Sequence, residues 1–265
     1  MSKAVGEAAY YTVGQNGSVI CRLCPHACKL QEGGTGLCRV RRNEGGIMVL
    51  PFWGQVSGTA IDPIEKKPLY HFLPHTGTFS VGYVSCNLRC PFCQNYHISQ
   101  TAECGVRFYT PEALVAEALS SGCPSISHTY SEPLVHTEFV RDCCRIAREK
   151  GLASILVTNG CVSQEPARDV LVYTDAVNVD LKAWDAAWYN EELGGERDTV
   201  CAFIRTAVEL GVHVEVTTLV VPGKNDSDGD IDAIASFLAG LDREIPYHLS
   251  AYRPMYKYSV PPTPS

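Results

Sequence analysis

From residue 78 to residue 251, short apolar segments with strand character alternate with segments of helical character. The predicted strands cover residues 78–85, 124–129, 153–158, 175–181, 212–220 and 246–251. The predicted helices cover residues 111–121, 134–150, 164–172, 185–192, 197–210 and 228–240. Strands that are separated by helices pair in parallel, and right-handed crossovers between them curve the sheet. The alternation therefore predicts an α/β fold, a partial (β/α)6 TIM-like barrel with functional residues at the C-terminal ends of its strands.

Three cysteines, Cys86, Cys90 and Cys93, follow the first predicted strand at C-x3-C-x2-C spacing. A loop after a strand can hold three thiolates toward one centre. Thiolates are the usual ligands of iron–sulfur clusters, and three of them leave one iron of a four-iron cluster open to a small molecule. A structural zinc site needs a fourth ligand, which the next few residues do not offer. The alternative is a structural metal knuckle, or buried thiols without a metal.

Four further cysteines, Cys21, Cys24, Cys28 and Cys38, predict a second metal site in the segment 21–38. Zinc and an auxiliary [4Fe-4S] cluster are both compatible with four thiolates, and unligated thiols are the remaining alternative. His26 could replace one of the ligands. We predict a cysteine-rich, metal-binding extension and linker over residues 1–76, followed by the core domain over residues 77–265.

The composition restricts the class of protein. The chain has 265 residues, thirteen cysteines and a net charge of −7. The clustered cysteines and the lack of a hydrophobic signal core favour metal binding in a reducing compartment over disulfides. The negative charge argues against a surface that binds nucleic acid, and no apolar run reaches the length of a membrane span. We therefore expect a cytoplasmic protein that binds neither nucleic acid nor membrane.

Polar residues lie at the ends of all five later predicted strands, and parallel strands bring them to the mouth that also holds Cys86, Cys90 and Cys93. The second to fifth predicted strands carry the candidate cofactor contacts. Asp180 and Lys182 alternate along one strand, so their side chains leave on the same face. A salt bridge without further function is the alternative interpretation of that pair. The complete set is Tyr130, Ser131, Glu132, Thr158, Asn159, Asp180, Lys182 and Thr217.

Several motifs resemble known families. The segment 86–93, with Phe92 directly before the last cysteine, resembles the signature of the radical S-adenosylmethionine (SAM) enzymes. Thr-Asn-Gly at 158–160 and Asp-Leu-Lys at 180–182 resemble those of pyruvate formate-lyase activating enzymes. The segments 24–28, 62–74 and 215–226 resemble one subgroup over nearly the whole chain, the AmmeMemoRadiSam-system radical SAM enzymes.

This resemblance implies a radical SAM-type barrel in which Cys86, Cys90 and Cys93 hold a catalytic [4Fe-4S] cluster. A reduced cluster would cleave SAM to methionine and a 5′-deoxyadenosyl radical, which abstracts hydrogen from a substrate. Relatives carry Gly-Gly-Glu where this chain has Tyr130-Ser131-Glu132, so the contacts there are expected to be rearranged. Activating enzymes carry aspartate where this chain has Val157, which weakens the case for a carboxylate cation site. The implied SAM contacts are Phe92, Tyr130, Ser131, Glu132, Thr158, Asn159, Asp180, Lys182 and Thr217.

The resemblance leaves the substrate open. One hypothesis is modification of a protein, a peptide or a small molecule in a pathway with AMMECR1-type and Memo-type partners. The second is installation of a glycyl radical on a partner enzyme, and the third is a metal-dependent binding protein without chemistry. The subgroup is expected to continue beyond Ser265 with another helix and strand. Candidate substrate contacts are Tyr70, His97, His128, Tyr252 and Arg253.

Overall fold

A computed structural model describes residues 6–258 of the chain. Residues 1–5 and 259–265 lie outside the described part, and so does the expected continuation after Ser265.

The N-terminal extension consists of short antiparallel strands. They are β1 (Gly6–Glu7), β2 (Tyr11–Val13), β3 (Val19–Cys21), β4 (Lys29–Leu30), β5 (Arg42–Glu44), β6 (Ile47–Leu50) and β7 (Gln55–Val56). One sheet has the order β1-β6-β5, and a second has the order β2-β3-β4. Tyr10, Val19, Leu23 and Met48 are among the side chains that form a small separate core.

The main sheet has seven strands in the order β15-β14-β13-β12-β11-β9-β8. Its strands are β8 (Gly58–Pro63), β9 (Gly77–Gly82), β11 (Ser125–Thr129), β12 (Ala153–Thr158), β13 (Ala176–Asp180), β14 (His213–Val220) and β15 (Tyr247–Ala251), while β10 (Arg107–Phe108) pairs with β7. The strands from β9 to β15 in this sheet are parallel, and β8 pairs antiparallel to β9 at the edge. The parallel part confirms the expected partial (β/α)6 architecture, because its six strands match the six predicted segments.

Helices connect the parallel strands and cover the sheet. They are α1 (Tyr96–Ser99), α2 (Pro111–Ser120), α3 (Thr137–Glu149), α4 (Gln164–Leu171), α5 (Ala186–Trp188), α6 (Arg197–Glu209) and α7 (Asp228–Leu241). Short 3-10 turns cover Gln15–Gly17, Ile64–Lys66 and Pro133–His136, and a π-helical turn, Tyr189–Leu193, continues α5. The main core lies between these helices and the sheet, and it includes Val81, Leu156, Val179 and Phe203. None of the helices in residues 6–258 combines the length and the apolar character that a membrane crossing requires.

The strand β8 bears on the division between extension and core. Residues 58–63 belong to the main sheet, although the sequence assigns them to the linker. The segment that follows, from Ile64 to Leu73, contributes Ile64 and Leu69 to a small core with Ile155 and Ala176. These contacts favour a domain boundary before residue 58, and the boundary at 76/77 remains a prediction.

A buried ion pair joins the extension to the main domain. Arg41 Nη2 lies 2.6 Å from Glu138 Oε2, and the side chains are 0% and 7% exposed. The amide of Ala9 donates to the other oxygen of Glu138 at 2.9 Å. Because Glu138 lies on α3, the ion pair fixes the extension against that helix.

The hydroxyl of Thr110 caps α2, as the sequence predicts. Thr110 Oγ1 accepts a hydrogen bond from the amide of Ala113 at 3.2 Å. We expect Thr110→Ala to lower the free energy of unfolding by about 1 kcal/mol, because that amide loses its acceptor. Urea denaturation measures the effect. Thr110→Ser keeps the hydroxyl and is the control, so an equal loss in both variants would contradict the capping role.

Candidate functional site

The loop after β9 holds Cys86, Cys90 and Cys93 at the C-terminal edge of the sheet. Cys86 Sγ accepts hydrogen bonds from the amide of Leu88 at 3.3 Å and from Asn159 Nδ2 at 3.5 Å. All three cysteines line one cavity of about 330 Å³. Cavities of this size are typical of small-molecule and cofactor sites.

The same cavity contains every residue that the sequence predicts as a cofactor contact. They are Phe92, Tyr130, Ser131, Glu132, Thr158, Asn159, Asp180, Lys182 and Thr217. The structure therefore brings twelve predicted residues together from five parallel strands and the loops that follow them. Their contacts with a cofactor remain a prediction.

Glu132 is the buried carboxylate of the cavity. Its Oε1 accepts from Thr158 Oγ1 at 2.6 Å and from the amide of Leu134 at 2.9 Å, and its Oε2 accepts from the amide of Asn159 at 2.8 Å. Burial raises the pKa of Glu132 to about 7 despite these hydrogen bonds. Since Oε2 has a single protein donor, it retains a lone pair for one further donor such as an ammonium group.

The backbone at Tyr130 takes a conformation that usually requires glycine. Its φ is +67°, in the left-handed region. The carbonyl of Tyr130 accepts from Asn95 Nδ2 at 2.6 Å, and its hydroxyl donates to Asp62. Thus, where relatives were expected to have glycine, this chain has tyrosine in a glycine-like conformation, fixed by contacts from both sides.

Asp180 and Lys182 form an ion pair at the cavity wall. Lys182 Nζ lies 3.1 Å from Asp180 Oδ2, and the side chains are 15% and 39% exposed. The geometry is compatible with a salt bridge that has no further function. It is equally compatible with a cofactor contact, because an ion pair at a cavity wall can also face a ligand.

The side chains of Asn159 and Thr217 already have protein partners. Asn159 Nδ2 donates to Asn87 Oδ1 at 3.0 Å, and Asn159 Oδ1 accepts from the amide of Cys161 at 2.8 Å. Thr217 Oγ1 accepts from Asn178 Nδ2 at 2.9 Å. Asn159 therefore positions the cysteine loop, which sequence reasoning did not anticipate.

The four N-terminal cysteines lie close together beside the Cys86 loop. Cys21, Cys24 and Cys38 are buried, and Cys28 is half-buried. A Cβ atom at Gly36 would lie 3.8 Å from the thiols of both Cys28 and Cys38. His26 Nε2 lies 2.9 Å from the carbonyl of Asn87, so this group adjoins the loop that carries Cys86.

Some cavity residues are not among the predicted cofactor contacts, and some predicted substrate contacts lie elsewhere. Lys66 and Pro68 line the cavity from the segment after β8, and Ser250 lines it from β15. His128 lies in the core, where it is hydrogen bonded to the hydroxyl of Tyr83 at 2.6 Å, and burial lowers its pKa to about 3. Tyr252 is also fully buried. These burials argue against direct substrate contact by either residue.

A comparison with known protein families decides the class of the protein. Residues 81–238 match the model of the radical SAM superfamily. The chain belongs to the radical SAM superfamily.

Two curated relatives of this radical SAM protein cover most of its core. An uncharacterized protein of Methanocaldococcus jannaschii is 42% identical over 262 residues, which is 97% of this chain and 78% of the relative. Pyruvate formate-lyase 1-activating enzyme of Escherichia coli K12 is 26% identical over 183 residues, which is 64% of this chain and 74% of that enzyme. Homology to the activating enzymes is therefore established.

Solved structures show the same fold at low sequence identity. Streptococcus suis SuiB bound to S-adenosylmethionine superposes with a TM-score of 0.55 and 15% identity. The match covers 69% of this chain and 42% of the SuiB chain. This likeness concerns the fold alone.

The residues present in this radical SAM enzyme fit the family's [4Fe-4S] cluster and SAM. Three thiols, a buried carboxylate and an ammonium group line the same cavity. Single-ion sites bring at least three ligand atoms close together. Within residues 6–258, only His71, Glu215 and His248 place three such atoms, from thiols, imidazoles or carboxylates, within 4.8 Å of one another. The three thiols of the cavity do not form such a trio, which is compatible with ligands that bind separate irons.

Proposed function

We propose that this enzyme uses the cavity at Cys86, Cys90 and Cys93 to cleave SAM reductively and to abstract hydrogen from a peptide or protein substrate. The observation that carries the proposal is the convergence of three thiols and nine predicted SAM contacts on one cavity. When bound, the reduced cluster supplies the electron that converts SAM to methionine and a 5′-deoxyadenosyl radical.

In this proposal, different side chains of the cavity bind different groups of SAM. In the proposal, Glu132 Oε2 accepts from the α-ammonium group, and Lys182 pairs with the carboxylate of SAM. Phe92, which lines the cavity, stacks on Trp188 with ring centroids 6.0 Å apart, and this contact helps to hold the Phe92 ring in place. Asn159 keeps Cys86 in place through its hydrogen bonds to Cys86 and Asn87.

We propose that Cys21, Cys24, Cys28 and Cys38 hold an auxiliary [4Fe-4S] cluster rather than zinc. Four thiolates around one zinc ion lie about 3.8 Å apart, given a zinc–sulfur distance of 2.3 Å. No three of these thiols, all of which lie in the described part of the chain, come within 4.8 Å of one another. A cluster accommodates thiolates that are not gathered this closely, because each thiolate binds a different iron.

The buried side chain of Arg41 supports an anionic cluster at this position. Burial raises the pKa of Cys21 and Cys38, and the charge of Arg41 opposes this effect at both thiols. Nε and Nη1 of Arg41 have no hydrogen-bond partner among the described residues. These N–H groups are available to hydrogen bond to sulfur atoms of a negatively charged cluster.

Metal analysis tests the auxiliary cluster. After anaerobic reconstitution with iron and sulfide, we expect about eight irons per chain, four at each cysteine group. Cys24→Ala is expected to lower the count to about four, because one missing thiolate weakens the N-terminal site and leaves the cavity unchanged. Cys201→Ala changes a buried thiol outside both groups and is the control. About four irons with one zinc would contradict this assignment.

The proposed substrate is macromolecular, in a pathway of the AmmeMemoRadiSam type with AMMECR1-type and Memo-type partners. The motifs at 62–74 and 215–226 support the subgroup. A solved structure of SuiB is bound to its precursor peptide SuiA, and it superposes on this chain with a TM-score of 0.53. The proposal includes a cytoplasmic location, where thiols remain reduced for metal binding.

A second candidate function is activation of a glycyl radical enzyme. It is favoured by relatives such as the isethionate sulfite-lyase activating enzyme of Nitratidesulfovibrio vulgaris, 31% identical over 136 residues, which is 49% of this chain and 44% of that enzyme. The reduced enzyme is incubated with SAM and each candidate partner, and deoxyadenosine and electron paramagnetic resonance spectra are recorded. A glycyl radical doublet in the partner would favour activation. Partner-dependent deoxyadenosine with a diamagnetic modified product would favour the first proposal.

A further inference from the structure

Three imidazoles surround one buried carboxylate, and none of these residues belongs to either cysteine group. Glu215 lies on β14, His248 on β15 and His71 in the segment between β8 and β9. One ligand atom from each of these three residues lies within 4.8 Å of the others. His213 reaches the same carboxylate from two residues earlier on β14. Three parts of the chain that are distant in sequence thus place three possible metal ligands close together, and His213 lies next to them.

The distances match those of a single-ion site. His71 Nδ1 and His248 Nε2 lie 3.4 Å and 2.6 Å from Glu215 Oε2, and His213 Nε2 lies 3.0 Å from Oε1. In a tetrahedral zinc site with bonds of 2.1 Å, neighbouring ligand atoms are about 3.4 Å apart. The trio of His71, Glu215 and His248 is therefore compact enough for one ion, and His213 adjoins it through the other oxygen of Glu215.

The surroundings favour the binding of a cation at a site that is open to solvent on one side. The side chain of Glu215 is fully buried, His248 is 19% exposed and His71 is 60% exposed. In the described part of the chain, no lysine or arginine forms a salt bridge with Glu215, whose ionic partners there are the three histidines. Neutral imidazoles with one carboxylate carry a net negative charge and form a nitrogen and oxygen donor set that suits Zn²⁺.

The cluster lies directly below the SAM cavity. Glu215 lies two positions before Thr217, and His248 lies two positions before Ser250. Both Thr217 and Ser250 line the cavity. Because side chains two apart on a strand share a face, the cluster forms the next layer toward the N-terminal ends of the strands. Asn178, in register with Glu215, has a buried Oδ1 without a partner among the described residues. This acceptor is available to a water molecule on a bound ion.

The cluster also holds the segment that forms part of the cavity floor. The amides of Tyr70 and His71 donate to Glu215 at 3.1 Å and 2.8 Å. Pro68, two residues before Tyr70, lines the cavity, and its carbonyl accepts a hydrogen bond from Asn178 Nδ2 at 2.9 Å. An ion bound by His71 and by the two strands would tie this segment to the barrel.

We propose that His71, Glu215 and His248, with His213 as a fourth ligand, form a divalent metal site of the Zn²⁺ class that fixes the floor of the SAM cavity. The site contains no sulfur ligand, so it is distinct from both cysteine groups. It does not depend on the proposed reaction, because zinc binding can be measured without SAM turnover.

The test uses the full chain with both cysteine groups loaded with iron, titrated with Zn²⁺ alone. We expect one zinc per chain above the iron, and a zinc K-edge absorption spectrum with nitrogen and oxygen neighbours at about 2.0–2.1 Å. His71→Ala and His248→Ala are each expected to weaken zinc binding at least about 10-fold, with the iron count unchanged. His71 is the safer variant for folding because its side chain is largely exposed.

His75→Ala is the matched control, since His75 lies in the same segment and its side chain is 95% exposed. Zinc binding by this variant should equal that of the wild type. Three results would overturn the proposal. They are no stoichiometric zinc in the wild type, zinc with sulfur neighbours at about 2.3 Å, and zinc binding that His71→Ala and His248→Ala leave unchanged. The first would leave a hydrogen-bonded imidazole–carboxylate network as the role of the cluster.

Discussion

Cys90→Ala is expected to lower the iron content by about four per chain and to abolish the cluster signal that responds to SAM. Cys90 is 7% exposed and lies in the cavity with Cys86 and Cys93. No other cysteine is among the residues that line this cavity in the described structure, so a lost thiolate has no replacement there. Iron analysis and electron paramagnetic resonance of the reduced protein, with and without SAM, measure the effect.

The matched control for this prediction is Cys123→Ala. Cys123 is half-buried and lies outside both cysteine groups, so its replacement should leave the iron count and the SAM response unchanged. A Cys90→Ala protein that kept its iron and its SAM-dependent signal would show that the cluster is held elsewhere.

The second large effect concerns stability. Glu138→Gln is expected to lower the free energy of unfolding by about 3–5 kcal/mol, because it removes the carboxylate that pairs with the buried charge of Arg41. The 2.6 Å contact and the complete burial of Arg41 place this pair among those for which removal of one partner is costly. Anaerobic urea denaturation of the cluster-loaded protein measures the change.

Glu149→Gln is the control for this ion pair. Glu149 pairs with Arg145 at 2.7 Å on the surface of α3, where the side chains are 57% and 44% exposed. Exposed pairs of this kind contribute less than about 1 kcal/mol. Equal losses in Glu138→Gln and Glu149→Gln would contradict the structural role of the buried pair.

The sequence predicts the parts of the fold that depend on local pattern. Apolar segments bounded by helix caps identify the six parallel strands, and the observed strands end within three residues of the predicted limits. The cysteine spacing and the polar strand ends identify the cavity, because parallel strands necessarily bring their C-terminal ends to one edge. The expected cofactor residues meet there for this reason.

The features that the sequence did not reveal depend on contacts between distant segments. Strand β8 was not predicted. Most of its residues are not buried, and for that reason its sequence lacks the alternation of apolar and polar residues that marks a half-buried strand. The role of Asn159 depends on the position of Asn87 in another loop. The meeting of His71 with Glu215 and His248 depends on how the segment after β8 enters the barrel, which no local pattern encodes.

The most direct test of the central claim is to identify the products formed from SAM after the reconstituted wild-type enzyme has been reduced. Under anaerobic conditions with a strong reductant, 5′-deoxyadenosine and methionine are expected to form in equal amounts, and neither is expected to form with Cys90→Ala. A wild-type protein with a full cluster and bound SAM that forms no deoxyadenosine, alone or with its candidate partners, would contradict the assignment of this cavity to radical chemistry.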